Sequence, residues 1–278
     1  MYIIKQRAKN KIVKLSPVSL ILFLAVTNLS AQTLIVSDDF ENELASFWGS
    51  TPWTGISDEF PKDGNYSLRF QFNGVPEGED SWAEARFDLG DEYTELSIKF
   101  DLYIPSNYEH RAHNAGQGWT NNKFFRLWKD AYDDSEKVGA SMWNEFDNGS
   151  SQTGNNTYNS RLSLDYRVTT GTSSTNLTED FIAQANDLGQ WMSIVIYIKA
   201  PTDTTDTEFR FYKNGQLFLE DTFNNNWEPG TQGYQKGYLL GWANSGFTEE
   251  TILYIDNVAF YDGDIMSSEL VIFANGFE

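Results

Sequence analysis

Lys236-Gly237-Tyr238-Leu239-Leu240-Gly241-Trp242-Ala243-Asn244-Ser245-Gly246-Phe247 is followed closely by Thr251-Ile252-Leu253-Tyr254-Ile255-Asp256-Asn257-Val258-Ala259-Phe260-Tyr261. The pair reads as two strands joined by a polar loop. Alternation with period two marks a half-buried strand, and the Asp256-Asn257 pair interrupts the second strand where that alternation would continue apolar. Ser37-Asp38-Asp39-Phe40-Glu41 near the start reads as the opening strand of the same layer.

The same periodicity runs through the interior of the chain. Leu96, Ile98, Phe100, Leu102 and Ile104 alternate with Ser97, Lys99, Asp101 and Tyr103. Met192, Ile194, Ile196 and Ile198 alternate with Ser193, Val195, Tyr197 and Lys199. Phe209 and Phe211 lead into Asn214-Gly215, a strong hairpin signal. Further strands are expected at 34–40, 66–72, 81–89, 122–128, 138–144, 160–167, 236–243 and 251–262. Helical periodicity is nearly absent. Many short strands separated by turn residues predict an all-β fold, a two-sheet antiparallel jelly-roll β-sandwich.

Lys5, Arg7, Lys9, Lys11 and Lys14 precede the apolar run Val18–Val26, and Asn28-Leu29-Ser30-Ala31 follows. This is the pattern of a secretory signal peptide, and the run is too short to span a bilayer. The expected organisation is a signal peptide over 1–31, one sandwich domain over 32–263 and a short tail over 264–278. The expected location is secreted, extracellular or periplasmic. The ending Ile272-Phe273-Ala274-Asn275-Gly276-Phe277-Glu278 resembles a short C-terminal tag of secreted Gram-negative proteins, and reads equally as one more edge strand.

The chain carries 40 Asp+Glu against 20 Lys+Arg. Such a surface argues against nucleic acid, whose binding depends on basic groups neutralising phosphates. No stretch outside the leader is long and apolar enough to be a membrane span. With no cysteine, an exported fold has no disulfides and rests on its core.

If the Leu, Ile and Phe members of each alternation form the core, the opposite face collects polar residues. They are Glu84, Arg86, Lys99, Asp101, Tyr103, Arg126, Arg161, Asp165, Arg167, Tyr197, Lys199, Arg210 and Tyr212. Arg forks a carboxylate and aromatic faces stack on sugar rings, so this face suits an acidic polysaccharide. It equally suits an outer face laced with cross-strand ion pairs.

Several motifs carry a resemblance. Phe40-Glu41, Asp63-Gly64-Asn65-Tyr66-Ser67-Leu68-Arg69-Phe70, Ser81-Trp82-Ala83-Glu84-Ala85-Arg86-Phe87, Gly237-Tyr238-Leu239-Leu240-Gly241-Trp242 and Tyr254-Ile255-Asp256-Asn257-Val258 resemble the concanavalin A-like lectin/glucanase superfamily, near its polysaccharide-lyase members. Trp82-Ala83-Glu84-Ala85-Arg86 resembles the alginate-lyase motif ending Glu-x-Arg, without its leading Arg. Tyr234-Gln235-Lys236-Gly237-Tyr238 resembles a shortened form of the Tyr-x-Lys-x-Gly-x-Tyr strand. The Gln-x-His strand is missing, and Asn122–Trp128 stands in its place.

The resemblance implies a secreted carbohydrate-active protein that binds an acidic polysaccharide, with cleavage by β-elimination as the implied reaction. In such chemistry a cation neutralises the uronate carboxylate and a Tyr or His removes the adjacent proton. The implied catalytic residues are Arg86 and Arg126 for the carboxylate, Tyr238 and Tyr234 for the proton, and His110 as the alternative base. The implied substrate-binding residues are Glu84, Lys99, Tyr103, Arg161, Tyr197 and Lys236. Whether the chain is such a lyase or a non-catalytic carbohydrate-binding or adhesion module stays open. The resemblance also implies a structural Ca²⁺ held by Glu41, Asp63 and Asp256, since Ca²⁺ takes six to eight oxygen ligands.

Overall fold

The computed structural model describes residues 32–109, 121–129, 132, 138–146, 158–168, 171–173, 177–179, 186–200, 207–223, 233–244 and 246–267. For 138–146, 158–168, 171–173, 177–179, 207 and 221–223 the backbone alone is described.

The fold is a two-sheet antiparallel jelly-roll β-sandwich. One sheet joins β1 (Thr33–Asp38), β2 (Thr54–Ser57), β3 (Ser67–Phe72), β5 (Glu95–Ile104), β11 (Gln190–Lys199), β12 (Thr207–Lys213), β13 (Gln216–Phe223) and β15 (Thr251–Asp262). Its order is β13-β12-β11-β5-β15-β3-β2, with β1 also on β15. The other joins β4 (Ala85–Tyr93), β6 (Asn121–Trp128), β7 (Val138–Phe146), β8 (Tyr158–Val168), β9 (Gly171–Ser173), β10 (Leu177–Glu179) and β14 (Tyr234–Leu239). Its order is β10-β8-β7-β6-β14-β4, with β9 on β8.

The alternations read from the sequence are the ones that pack. Leu96, Ile98, Phe100, Leu102 and Ile104 of β5 and Met192, Ile194, Ile196 and Ile198 of β11 all lie in the buried core. From the second sheet Ala85, Phe87 and Leu89 of β4 and Leu127 of β6 meet them. Phe87 and Phe260 touch across the layers with ring centroids 4.6 Å apart.

The interruption in β15 is a bulge. Its register to β5 shifts between Asp256 and Ala259, and Asn257 has a φ of 51°. Asn tolerates the left-handed region better than most residues. Leu253 and Ile255 face the core before the bulge, Val258 and Phe260 after it. The extra residue resets the alternation so that both ends of the strand bury their apolar members. At the β12–β13 hairpin, Asn214 and Gly215 have φ of 52° and 75°, the two successive positive values that a type I′ turn requires.

The opening strand ends in a carboxylate knot. Asp38 accepts from Phe40 N–H at 2.8 Å, Ala45 N–H at 2.9 Å and Trp48 Nε1–H at 2.8 Å. Trp48 stacks in turn on Phe40 and meets Phe87 edge-on. Asp38→Ala leaves three donors without that acceptor, and each charged hydrogen bond is worth roughly 1.5–3 kcal/mol. The expected result is a loss of about 3 kcal/mol in a denaturant titration. A change below about 0.5 kcal/mol would contradict the role of the knot.

Candidate functional site

The strands carrying the lyase-like motifs lie side by side, in the order β4-β14-β6. On β4 and the segment leading into it, Ala83, Ala85, Phe87 and Leu89 point into the core. Trp82, Glu84, Arg86 and Asp88 therefore alternate onto the outer face of the seven-stranded sheet. Register then decides who meets whom. Tyr238 on β14 lies opposite Arg86 on one side and Arg126 on the other. Lys236 lies opposite Asp88 and Trp128 in the same way. The result is two rows across three strands: Arg86–Tyr238–Arg126, and Asp88–Lys236–Trp128.

Close contacts fix both rows. Arg86 Nε donates to Glu84 Oε1 at 2.5 Å, and Glu84 is buried. Arg126 lies over the Trp128 ring at 5.3 Å, and Trp128 meets the Tyr238 ring edge-on at 5.5 Å. Lys236 Nζ pairs with Asp88 Oδ2 at 3.2 Å. Burial pushes the Asp88 carboxyl up, yet its pKa is lowered overall by the Gly90 N–H, Gln235 and Lys236. Beneath the Tyr238 ring sits Gly241, where a Cβ would come within 2.5 Å of Cε2. A side chain there would lift the tyrosine out of its row.

Tyr132 caps the assembly. Its ring takes Arg86 at 5.0 Å, Lys236 at 5.8 Å and Trp128 edge-on at 5.6 Å. Its hydroxyl donates to the Phe87 carbonyl at 2.7 Å. Burial first, then Asp88, pushes its pKa up to about 12; Glu84 adds to this and Arg86 opposes it. A phenol so held stays neutral near pH 7 and positions the cations around it. Sequence reasoning missed Tyr132 because it stands in an acidic, aperiodic stretch. Asp88 and Trp128 were reachable, since each extends an alternation already read, Glu84–Arg86 and Arg126 respectively.

The expected polar face is corrected in one respect: its members divide between the two sheets. Glu84, Arg86, Arg126, Lys236 and Tyr238 share the outer face of the seven-stranded sheet. Arg161 is on β8 of that sheet, in register with Trp143 and Thr178, and its side chain is outside the described residues. Lys99, Tyr103 and Tyr197 belong to β5 and β11 and line the outer face of the eight-stranded sheet. Alternation separates inside from outside but does not say which layer a strand joins.

On that second face the cross-strand ion-pair reading holds. Arg210 pairs with Glu208, Glu220 and Asp264 and lies over Tyr197 at 5.1 Å. Tyr197 donates to Glu95 Oε2 at 3.1 Å. Burial, with Glu95 and Glu208 beside it, pushes the Tyr197 phenol far up.

Tyr234 also leaves the expected site. A register shift between Tyr234 and Lys236 turns it inward. It joins the hydrophobic core at 2% exposure, and burial raises its pKa strongly. Gln235 instead reaches Asp88, donating at 2.9 Å. His110 lies outside the described residues.

Glu41, Asp63 and Asp256 do converge on the loop between β2 and β3. Glu41 Oε1 accepts from Asn65 N–H at 2.7 Å and Tyr66 N–H at 2.9 Å, and Oε2 accepts from Asn65 Nδ2 at 2.9 Å. These bonds lower its pKa, the Asn65 side chain most. Asp256 Oδ2 accepts from Lys62 N–H at 2.9 Å and Asp63 N–H at 3.3 Å, while Oδ1 accepts from Asn257 N–H at 2.7 Å. Burial, with Asp101 opposite in register, raises the Asp256 pKa against the pull of those N–H groups. Asn257 Nδ2 bridges Asp63 and Asp101.

The carboxylates thus close on N–H donors, and among the described residues no three acidic or histidine side chains share a point suited to a metal. As arranged, these carboxylates are held by N–H donors rather than set out among the six to eight oxygens that Ca²⁺ takes. The expected result is a melting temperature unchanged by excess Ca²⁺ or by chelation. A saturable rise with Ca²⁺, lost in Asp256→Ala, would overturn this, since a native-state ligand stabilises by mass action.

No family model and no curated protein matches the sequence. Among solved structures the chain is similar to the endo-β-1,4-glucuronan lyase from the fungus Trichoderma reesei, with a TM-score of 0.59 and 14% identity over 82% of this chain and 95% of that one. It is also similar to the Bacteroides ovatus mixed linkage glucan PUL (MLGUL) GH16, in complex with its G4G4G3G product. There the TM-score is 0.54 and the identity 12%, over 82% of this chain and 100% of that one. At such identities the likeness is one of fold alone, a two-sheet jelly roll.

Proposed function

We propose that this protein is a secreted carbohydrate-active protein that binds an acidic polysaccharide along the outer face of its seven-stranded sheet and cleaves it by β-elimination. The observation that carries the reading is the row Arg86–Tyr238–Arg126, one phenol between two guanidinium-bearing positions on adjacent strands. Glu84 orients Arg86. A uronate carboxylate placed between Arg86 and Arg126 is neutralised, which acidifies the hydrogen on the carbon beside it. Tyr238, as its phenolate, takes that proton. The electron pair forms the new carbon–carbon double bond and expels the glycosidic oxygen, which takes the proton back from the Tyr238 hydroxyl as it leaves. Fixed cations aimed at developing charge act strongly in such chemistry, and a positioned base contributes about 10²–10⁴-fold. The kinship of fold with a glucuronan lyase is consistent with this reading.

One observation favours the second reading, a binding module without catalysis. Arg86 and Lys236 already hold carboxylate partners, Glu84 and Asp88, so both cations have a resting state to give up. Incubation with glucuronan, alginate and glycosaminoglycans separates the readings. Elimination creates an unsaturated uronate that absorbs in the ultraviolet. Binding with no absorbance change on every polymer would favour the module. For the enzyme, Arg126→Ala is expected to lower kcat/KM by about 10²-fold or more, as loss of a charge-stabilising group does; an unchanged value would remove Arg126 from the mechanism.

A further inference from the structure

Beyond the Arg86–Tyr238–Arg126 row the same face continues to a second feature. Ala243 bridges both Ser81 and Asn122, and Lys123 N–H donates to the Trp242 carbonyl at 3.1 Å. Trp82, Trp242 and Lys123 are thereby neighbours across the line of strands that carries the rows below. The two indoles touch at 5.4 Å with their planes 34° apart. Trp242 is 37% exposed and is anchored through Nε1, which donates to Asp80 Oδ2 at 2.7 Å. Asn244 ties that support to β6: Nδ2 donates to Asp80 at 3.4 Å, and Oδ1 accepts from Lys123 Nζ at 2.9 Å.

A large aromatic surface held rigid in water gains nothing for the core, whose Ala83 and Ala243 lie on the other side. It is ready for a ligand, since a preformed platform loses little freedom on binding. Trp82 takes the place of the leading Arg in the motif that Glu84 and Arg86 end, so an indole stands where the resemblance leads one to expect a cation. Asp80 lies at the Nε1 edge of the Trp242 indole, so it repels a uronate carboxylate at that edge and not over the ring face.

We infer that Trp82 and Trp242 form a stacking subsite for a sugar ring of the acidic chain, separate from the row that reads its carboxylate. The inference rests on the acidic-chain reading given above. Trp82 precedes Arg86 by four positions, about 13 Å along an extended chain. A polymer therefore spans both features, whereas a disaccharide held at the arginines does not reach the indoles. The subsite selects for chain length and ring shape, and the arginines select for charge.

The test is calorimetric binding of polyglucuronate and of a glucuronate disaccharide in a Tyr238→Phe background, which holds substrate without turnover. Trp242→Ala, on an exposed residue, and Trp82→Ala are each expected to weaken polymer binding roughly tenfold, a larger loss than most interface truncations cause. Disaccharide binding stays unchanged, and Trp242→Phe restores most of the loss. Polymer binding undiminished in Trp242→Ala, with melting temperature intact, would overturn the subsite and leave the arginine row standing. No binding of either ligand by the parent would overturn both.

Discussion

Tyr238→Phe is expected to abolish the ultraviolet-absorbing product while leaving polysaccharide binding within a factor of a few. The substitution keeps the ring, so its edge-on contact with Trp128 and its seat over Gly241 survive. Only the hydroxyl is lost. In a β-elimination the oxygen of that group, as phenolate, is the proton acceptor, and general bases contribute about 10²–10⁴-fold. The loss falls on kcat, and KM changes little, because phenylalanine and tyrosine present the same face to the chain. Tyr132→Phe is the matched control, for that hydroxyl is engaged with the Phe87 carbonyl. An equal loss of rate in both variants would mean that the face is merely disturbed. Full activity in Tyr238→Phe would remove Tyr238 from the chemistry.

Gly237→Ala is expected to damage fold and site together. Gly237 lies in the middle strand of the β4-β14-β6 set, opposite Phe87 and Leu127. A Cβ there would come within 2.2 Å of the Arg126 carbonyl oxygen and 2.5 Å of Phe87 Cζ. The first obstacle is backbone, which no rotamer change can relieve. Overpacking of this kind costs roughly 1–3 kcal/mol and sometimes more. The displaced strand is the one carrying Lys236 and Tyr238, so activity falls beyond what the lost stability explains. The measurement is a denaturant titration beside a rate assay at a temperature where the variant remains folded. Wild-type stability in Gly237→Ala would mean that β14 sits farther from β6 than described.

Much of the architecture was legible in the chain itself, wherever local physics decides the outcome. β5 and β11 were readable because every second residue is apolar and enters the core. The Asn214-Gly215 turn was readable because few other pairs adopt two positive φ values. The break at Asp256-Asn257 was visible, although its effect, a bulge that resets alternation, needs the partner strand β5 to define it. Layer assignment was not legible. Lys99, Tyr103 and Tyr197 alternate just as Arg86 and Arg126 do, and only long-range pairing sends them to opposite sides of the sandwich. Tyr234 and Tyr238 have the same parity, and the shift at Gln235 that turns one inward leaves no mark in composition. Glu41 and Asp256 both reach the loop between β2 and β3, but whether carboxylates meet an ion or backbone N–H groups depends on geometry that spacing does not carry. The Trp82–Trp242 contact likewise arises where β14 runs on past Leu239, beside the approach to β4.

On the proposed reading, the row Arg86–Tyr238–Arg126 performs elimination on a uronate chain. The most direct measurement is the ultraviolet absorbance of the purified protein incubated with glucuronan, run in parallel with Tyr238→Phe. A steady rise is expected for the wild type and a flat trace for the variant, with both proteins binding the polymer. A flat trace for the wild type on glucuronan, alginate and glycosaminoglycans alike, or a rise that persists in Tyr238→Phe, would contradict it.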